Sequence, residues 1–437
     1  ERVLYNAALS GIGIEGNLFF YPNPLESSGR HRRSPWFGCA CCPSNVARFI
    51  PSVPGYAYAH KDGDVYVNLF ISGAGQIETG DNRIKLTQQT RYPWEGSVRI
   101  DVEPDKSETF AIMVRIPGWA RNEVVPSDLY RFQNTVDEKV SLKVNGRAVS
   151  AAARQGFVRI ERRWEKGDTI ELEMPMPIRR VLAHPNIQDD RGKVAFQRGP
   201  IVFCLEWPDN DGEVLNLVVP DDAELAAHWR GDLLNGVITI TGTGRTSKRM
   251  LDGEIVLSGK NDFTAIPYYA WAHRGQGQMT VWPARKPEAA RPEPADTLAY
   301  ISKTKASFVH VSLDAIKDQV LPAGSSDASK SQLDFWPHKG TTEWLTFEWG
   351  KKHTISSVKV YWFDDTGRGG CKVPESWRVL YRDANGRYKA VKNNGAYTTD
   401  KDKFNEVAFE PVRTDAIKIE IKLFDDWAAG VQEVVIE

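Results

Sequence analysis

From Asp64 onward the hydrophobic residues of this chain recur at every second position, and that period decides the fold class. Asp64-Val65-Tyr66-Val67-Asn68-Leu69-Phe70, Gly96-Ser97-Val98-Arg99-Ile100-Asp101-Val102 and Phe110 to Ile116 alternate or run apolar, as do Val140 to Val144 and Asp168 to Met174. Side chains of a strand point to opposite faces in turn, so such runs can each bury one face of a sheet and are too short and wrongly spaced for amphipathic helices. Asn145-Gly146 between two of them is the dipeptide of a tight hairpin turn. Short strands this closely spaced, with 35 Gly and 25 Pro in the chain, predict β-sandwiches or jelly rolls.

The 437 residues suffice for about three domains at roughly 150 residues each. The first 63 residues differ from the rest. Glu1 to Leu9 reads as the end of a helix with Val3, Leu4, Ala7 and Ala8 on its packing side, stopped by Gly11 and Gly13. Leu18 to Pro24 is extended, and Glu26 to Pro35 is a basic, polar loop. Cys42-Pro43 opens a second helix with Cys42 as its N-cap and Val46, Phe49, Ile50 and Val53 at helical spacing, which Pro51 and Pro54 cut short. Pro-rich breaks at 174–177 and 183–185 and a stretch carrying Pro283, Pro287, Pro292 and Pro294, read as a semi-rigid linker, divide the remainder. The predicted domains are 1–63, mainly helical; 64–182, a first β-sandwich; 183–300, a second β-sandwich with the linker; and 301–437, a separate β module.

The 56 basic and 57 acidic residues balance, which excludes a general nucleic-acid binder. No apolar run approaches the roughly 18 residues of a membrane span. Residue 1 is Glu, not Met, so the chain is expected to start internally. Fourteen Trp against five Met point to flat ligands such as sugar rings.

Three of the five cysteines crowd into Cys39-Ala40-Cys41-Cys42; the others are Cys204, in an apolar strand-like run, and Cys371, after Gly369-Gly370. An odd, clustered set is a poor disulfide framework and a better metal or nucleophile set. A helix start favours the thiolate, the form that attacks and binds metal. Cys41 and Cys42 can both reach one zinc, which wants four ligands, or three and an open position in a catalyst. On spacing alone a structural zinc site and a chemical role are equally served. Arg32 and Arg33, with His31, read as a solvated loop, with a contact to an anionic sugar as the sharper alternative.

Glu1 to Asn6, Phe19-Phe20-Tyr21 with Asn23-Pro24-Leu25-Glu26, and Trp36-Phe37-Gly38-Cys39-Ala40-Cys41-Cys42-Pro43-Ser44-Asn45-Val46-Ala47-Arg48 resemble glycoside hydrolase family 127, the β-L-arabinofuranosidase family, in the same order; Arg198 to Phe203 resembles its second sandwich domain more loosely. The resemblance implies the tail of an (α/α)6 barrel followed by β-sandwich domains. It implies a retaining glycosidase with a zinc-bound cysteine nucleophile, matched by Cys41, with Cys42 a second zinc ligand and Glu1 and Tyr21 as substrate-binding residues. The family's acid/base glutamate and its other zinc ligands, a Glu and a Cys, match nothing in this chain and are expected upstream of Glu1. The first cysteine of the string, Cys39, is no ligand in the family pattern and is expected to be a buried neighbour. The expected substrate is a furanoside of a plant polysaccharide, and the expected location periplasmic or extracellular. A related branched or carboxylated pectin sugar, of the aceric acid type, is the alternative substrate. A non-catalytic glycan binder with structural zinc, or a module contacting other proteins, is the rival class.

Residues 306–437 resemble a discoidin-like (factor 5/8 type C) jelly-roll module through Glu343 to Trp349, Ile355 to Trp362, Pro374 to Tyr381 and Gly430 to Val434. This resemblance implies glycan binding or structural support, and a Ca²⁺ ion. Trp336, Trp362, Trp427 and Asp364-Asp365 are candidates for exposed loops, against the plainer reading of core tryptophans.

Overall fold

The computed structural model describes residues 1–250 and 254–437. These form two compact units, one of residues 1–247 with 257–291, the other of 248–250, 254–256 and 292–437.

In the first unit the alternating runs become two facing sheets. One is a four-stranded sheet in the order Phe157–Trp164, Glu108–Arg115, Asp64–Val67, Tyr58–Lys61. The other has six strands, with Asp168–Glu173 between Ser141–Val144 and Ser97–Pro104. The inward positions of both, among them Val65, Val67, Ile112 and Val114 from one and Ile84, Ile100 and Ile170 from the other, share one core. The predicted turn is present: Asn145 and Gly146 both have positive φ, and Val144 pairs with Arg147 across it. Asparagine and glycine occupy the left-handed region at the least cost, which is why they stand there.

A third sheet of this unit is built on Ile178–Ala183, Ala195–Arg198 and Ile201–Glu206, joined in consecutive antiparallel pairs. Tyr130–Phe132 pairs with the first of these strands, so a stretch inside the first predicted sandwich is recruited to this sheet. The polar loop expected at 26–35 also contains a strand, Glu26–Ser28, which pairs with Gln278–Thr280. Its polar sequence hides it, because only Ser27 of the three is buried. The first part of the expected linker is held on this unit by backbone hydrogen bonds. Val194 N–H donates to Pro283, Val219 N–H to Ala284 and Arg291 N–H to Leu215. Its prolines cost nothing there, because their carbonyls, not their missing N–H groups, make the contacts.

In the second unit Thr342–Phe363 and Phe404–Lys422 run antiparallel, with register shifts between Glu348 and His353 and between Ile355 and Ser357. Such irregularities bend long strands. Gly430–Ile436 pairs along Thr342–Phe363, and Ser376–Arg382 along Phe404–Lys422, around a core that includes Phe347, Trp362, Val379, Ile419 and Val434. Trp362 is fully buried, and Asp364 is buried and paired with Lys401 Nζ at 2.7 Å. Trp362 is thus core, as the plainer reading of the tryptophans had it, and Asp364 is corrected from an exposed-loop candidate to part of the interior. Trp336 is exposed, and Trp427 half-buried.

Helical residues lie mainly before residue 64: a turn over residues 2–10 that is π-helical at Leu4–Ala8, helix α1 (Cys41–Phe49) and a 3₁₀ continuation, Ile50–Tyr56. The packing side of the first turn is not the predicted one. Val3 is exposed, whereas Asn6 and Ser10 are buried. Asn6 decides this: its Nδ2 donates to the Arg2 and Pro200 carbonyls at 2.8 and 2.9 Å, and its Oδ1 accepts from Val202 N–H at 2.8 Å. Three hydrogen bonds to backbone, the one to Pro200 buried and the others part-buried, outweigh one valine's burial. Among the described residues no helix is long and apolar enough to cross a membrane.

Candidate active site

Helix α1 starts two residues earlier than its sequence suggests. Ala40 is the N-cap and Cys41 the first helical residue, so Pro43 lies third in the helix and Cys42 is not the cap. The first-turn N–H groups have no intrahelical acceptor, so a proline is tolerated at any of these positions. The shift matters chemically, because it places both Cys41 and Cys42 in the first turn, at the positive end of the helix dipole.

Cys41 is the centre of the cluster. Its Sγ lies 3.6 Å from the Tyr21 hydroxyl, 3.8 Å from Cys42 Sγ and 4.0 Å from Cys39 Sγ. Tyr21 reaches it from the extended segment after Phe20, with Phe37 packed edge-on against its ring at 4.3 Å. Hydrogen bonds from Tyr21, Cys42 and Cys39, and from the Cys42 backbone, lower the Cys41 thiol pKa. The hydrogen bond to Cys41 raises Tyr21 to about 12 and raises the Cys42 thiol. Helix position alone leaves the two adjacent thiols equivalent; the surrounding donors separate them and make Cys41 the first to ionise. Cys39 is exposed, which corrects its expected burial. Its side chain is turned toward Cys41 on a loop that has no strand or helix to cover it.

The sulfur geometry suits zinc. Two thiolates on one tetrahedral ion, each at about 2.3 Å, stand about 3.8 Å apart, and the Cys41 and Cys42 sulfurs are 3.8 Å apart. Among the described residues no group of three His, Cys, Asp or Glu side chains is arranged to hold a metal ion. The cysteine pair therefore offers part of a coordination shell.

Glu1 makes its contacts elsewhere. Its carboxylate accepts from the Tyr92 hydroxyl at 2.5 Å, and Tyr92 accepts in turn from Trp119 Nε1 at 3.3 Å. Burial raises the Glu1 pKa. Arg33, expected in a solvated loop, is buried. Its guanidinium donates to the carbonyls of Ser10, Tyr269 and Trp271 and lies over the Phe20 ring at 4.5 Å. Burial lowers its pKa to about 10. It therefore acts as a tie between the segment carrying Tyr21 and the 3₁₀ turn Tyr268–Ala270 with Trp271 after it, and is unavailable to an anionic sugar. His273 completes this support. Its Nδ1–H donates to Ala270 O at 2.7 Å and its Nε2 accepts from Ile14 N–H at 2.9 Å. Sequence reasoning passed over the roles of Asn6, His273 and Phe37, each of which has a partner distant in sequence, Pro200 and Val202 for Asn6, Ile14 for His273 and Tyr21 for Phe37; no local pattern marks them. Cys204 is buried, as its apolar run suggested, and Cys371, after Gly369-Gly370, is buried too.

Fold and cluster together define a mainly β protein that presents a thiol of lowered pKa at the start of a short helix, a group suited to covalent or metal-assisted chemistry. Successive regions match three profiles of one family: the GH127 β-L-arabinofuranosidase catalytic domain over residues 1–55, its middle domain over 64–176, and the glycoside hydrolase family 127 C-terminal domain over 178–284. Through these regions the chain belongs to glycoside hydrolase family 127. It is 32% identical, over 65% of its length, to 44% of a non-reducing end β-L-arabinofuranosidase of Bifidobacterium longum subsp. longum. A solved structure of a GH127 β-arabinofuranosidase, BT3674, is 42% identical with a TM-score of 0.63, covering 67% of this chain and 46% of that one. Ara127N-Se, a GH127 β-L-arabinofuranosidase from Geobacillus stearothermophilus T6, is 38% identical with a TM-score of 0.58, covering 65% and 45%. The chain thus spans somewhat under half the length of these relatives.

Proposed function

We propose that this chain serves a retaining glycoside hydrolase that acts on furanosides such as the β-L-arabinofuranosides of plant polysaccharides. The observation that carries the reading is the placement of Cys41 Sγ within reach of Tyr21, Cys42 and Cys39, in the region that matches the family's catalytic domain. In the first step the Cys41 thiolate bonds to the anomeric carbon as the bond to the leaving oxygen breaks, and a general acid protonates that oxygen. In the second step water attacks the same carbon, the carbon–sulfur bond breaks, and the base takes the water's proton. Two inversions give net retention. Tyr21 positions the sulfur and hydrogen-bonds near the reacting centre, and Phe37 holds the Tyr21 ring. Cys41 and Cys42 would hold zinc, which supplies deprotonation of both sulfurs at neutral pH and a less basic, better-leaving thiolate. The general acid and the remaining ligands come in addition to the cluster described above. Glu1 would bind substrate only with its Tyr92 bond rearranged or shared.

The test is a screen of aryl glycosides and pectin fragments, with product configuration followed by NMR. Release of β-configured arabinofuranose from a β-L-arabinofuranoside supports the proposal. Exclusive turnover of a carboxylated pectin sugar moves it to the alternative substrate, and no turnover with bound zinc moves it to the non-catalytic class.

For the second unit we propose a discoidin-like jelly roll with a Ca²⁺ site at Glu433 and Asp318. Glu433 is buried with Oε2 lacking any hydrogen-bond partner, and burial lifts its pKa to about 8 and that of Asp318 to about 6. A buried, unpartnered carboxylate oxygen is what an oxygen-liganded cation would satisfy.

A further inference from the structure

Glu1 is half-buried, yet among the described residues no Lys, Arg or His side chain forms an ion pair with it; the donor to its carboxylate is the Tyr92 hydroxyl, 2.5 Å from Oε1. An ionised carboxylate has room for about four donors, and one that serves only the fold is held by a cation or by several N–H groups when it is shielded from water. Here Oε1 is taken by a single phenol and Oε2 lies outside that bond.

The phenol is itself held in place. An indole N–H can only donate, so Trp119 Nε1, 3.3 Å away, fills a lone pair of the Tyr92 oxygen and leaves its single proton for Glu1. Tyr92 and Trp119 are both buried. The Tyr92 ring packs edge-on against Tyr5 at 5.8 Å and Phe70 at 5.5 Å. Tyr5 stands on the helical turn that follows Glu1, and its N–H donates to the Glu1 carbonyl at 3.0 Å. Tyr5 therefore holds the Glu1 main chain, Tyr92 holds its side chain, and the two rings touch. Donation from Trp119 to Tyr92 to Glu1 has one possible direction, and it ends on an acceptor-only group with an oxygen to spare. A sugar hydroxyl, which can donate, is the chemistry that oxygen takes.

We propose that Tyr92 is a positioning residue: by holding Oε1 of Glu1 it turns Oε2 toward a hydroxyl of the bound sugar, an assignment that rests on the proposed glycosidase activity. The Tyr92 bond persists while substrate is bound, and Trp119 fixes the direction of the Tyr92 hydroxyl. The test is a double-mutant cycle on the whole protein, with steady-state kinetics on the aryl glycoside that the wild type hydrolyses. Tyr92→Phe keeps the ring packing and deletes the hydroxyl. It should raise KM at least about tenfold, the worth of one hydrogen bond to a charged group, with kcat changed less than about threefold, because Glu1 grips the sugar in ground and transition states alike. Glu1→Gln should also raise KM. In that background Tyr92→Phe should add less than about twofold, since Tyr92 acts only through Glu1. Trp119→Phe leaves the hydroxyl in place and should raise KM about threefold with Glu1 present and not with Glu1→Gln, so the cycle closes even where Tyr92→Phe does not fold. Effects that multiply in the double variants, as loosened packing would give, or a fall in kcat at unchanged KM, would overturn this assignment alone. A wild type that hydrolyses no glycoside would overturn the activity, and the assignment with it.

Discussion

Replacing Asn6 with leucine removes an amide that joins the N-terminal helical turn to the strand Ile201–Glu206 while keeping the branched shape of the side chain. The wild-type amide makes three hydrogen bonds of 2.8 to 2.9 Å, two of them to Pro200 O and Val202 N. Leucine cannot replace these, and the Arg2 carbonyl can turn to water. The Pro200 carbonyl and Val202 N–H are left without a partner in the interior. Each stranded group costs about 1–3 kcal/mol, of which the added apolar burial returns part, so the first unit should lose about 2–4 kcal/mol. Asn6→Asp separates donor from acceptor. It keeps the acceptor for Val202 but sets a carboxylate against the Pro200 carbonyl, so its loss should be at least as great near neutral pH and shrink in acid. The assay is urea unfolding, with hydrogen exchange of the peptides covering residues 1–12 and 198–206. Both peptides should lose protection together in Asn6→Leu. A destabilisation below about 0.5 kcal/mol, the usual scatter of surface substitutions, or exchange that rises in the first peptide alone, would refute the claim that Asn6 ties the turn down.

Acid should weaken the first unit through His273, whose pKa burial depresses to about 4 from 6.5. Between those values the unfolded chain takes up a proton that the folded one refuses, so stability falls as pH drops through 6.5 toward 4, by at most about 3 kcal/mol. His273→Gln should flatten that slope in urea titrations at pH 7, 5 and 4; an unchanged slope assigns it elsewhere. Millimolar CaCl₂ should raise the melting temperature of the second unit, and Glu433→Gln should abolish the rise while leaving the unit folded, as scanning calorimetry would report. In metal-free protein, iodoacetamide should label Cys41 before Cys42, because the donors around Cys41 favour its thiolate; peptide mass spectrometry gives the order. Cys42→Ser should lower zinc content per chain in elemental analysis, and an unchanged content would remove Cys42 from the metal shell.

What the sequence made legible follows from range. Strands such as Ser97–Pro104 and Asp168–Glu173 declare themselves because one face of each is buried, and alternation is a local signal. Tyr130–Phe132 and Glu26–Ser28 are three residues each, too short to show a period, and exist because a distant strand offers its edge. Trp362 and Asp364 looked like loop candidates because the end of the long strand Thr342–Phe363 cannot be seen from composition. In the site, Cys41, Cys42 and Tyr21 were readable from their string, and the structure brings them together. The choice between the two thiols was not readable from spacing. It depends on a phenol twenty residues away and on the thiols that flank Cys41. Arg33 shows the opposite error: a cation in a polar stretch reads as solvated until the carbonyls that bury it, more than two hundred residues distant, are in place.

The central claim is that Cys41 bonds covalently to the sugar. It is tested most directly by trapping the zinc-loaded protein, with its full catalytic equipment, with a reactive β-L-arabinofuranose analogue and mapping the adduct by peptide mass spectrometry. The account predicts one sugar equivalent on Cys41, absent from Cys41→Ser, which should stay folded and lose turnover because a hydroxyl is a far weaker nucleophile than a thiolate. An adduct on Cys42, on Cys39 or on a carboxylate, with Cys41 unmodified, would contradict it.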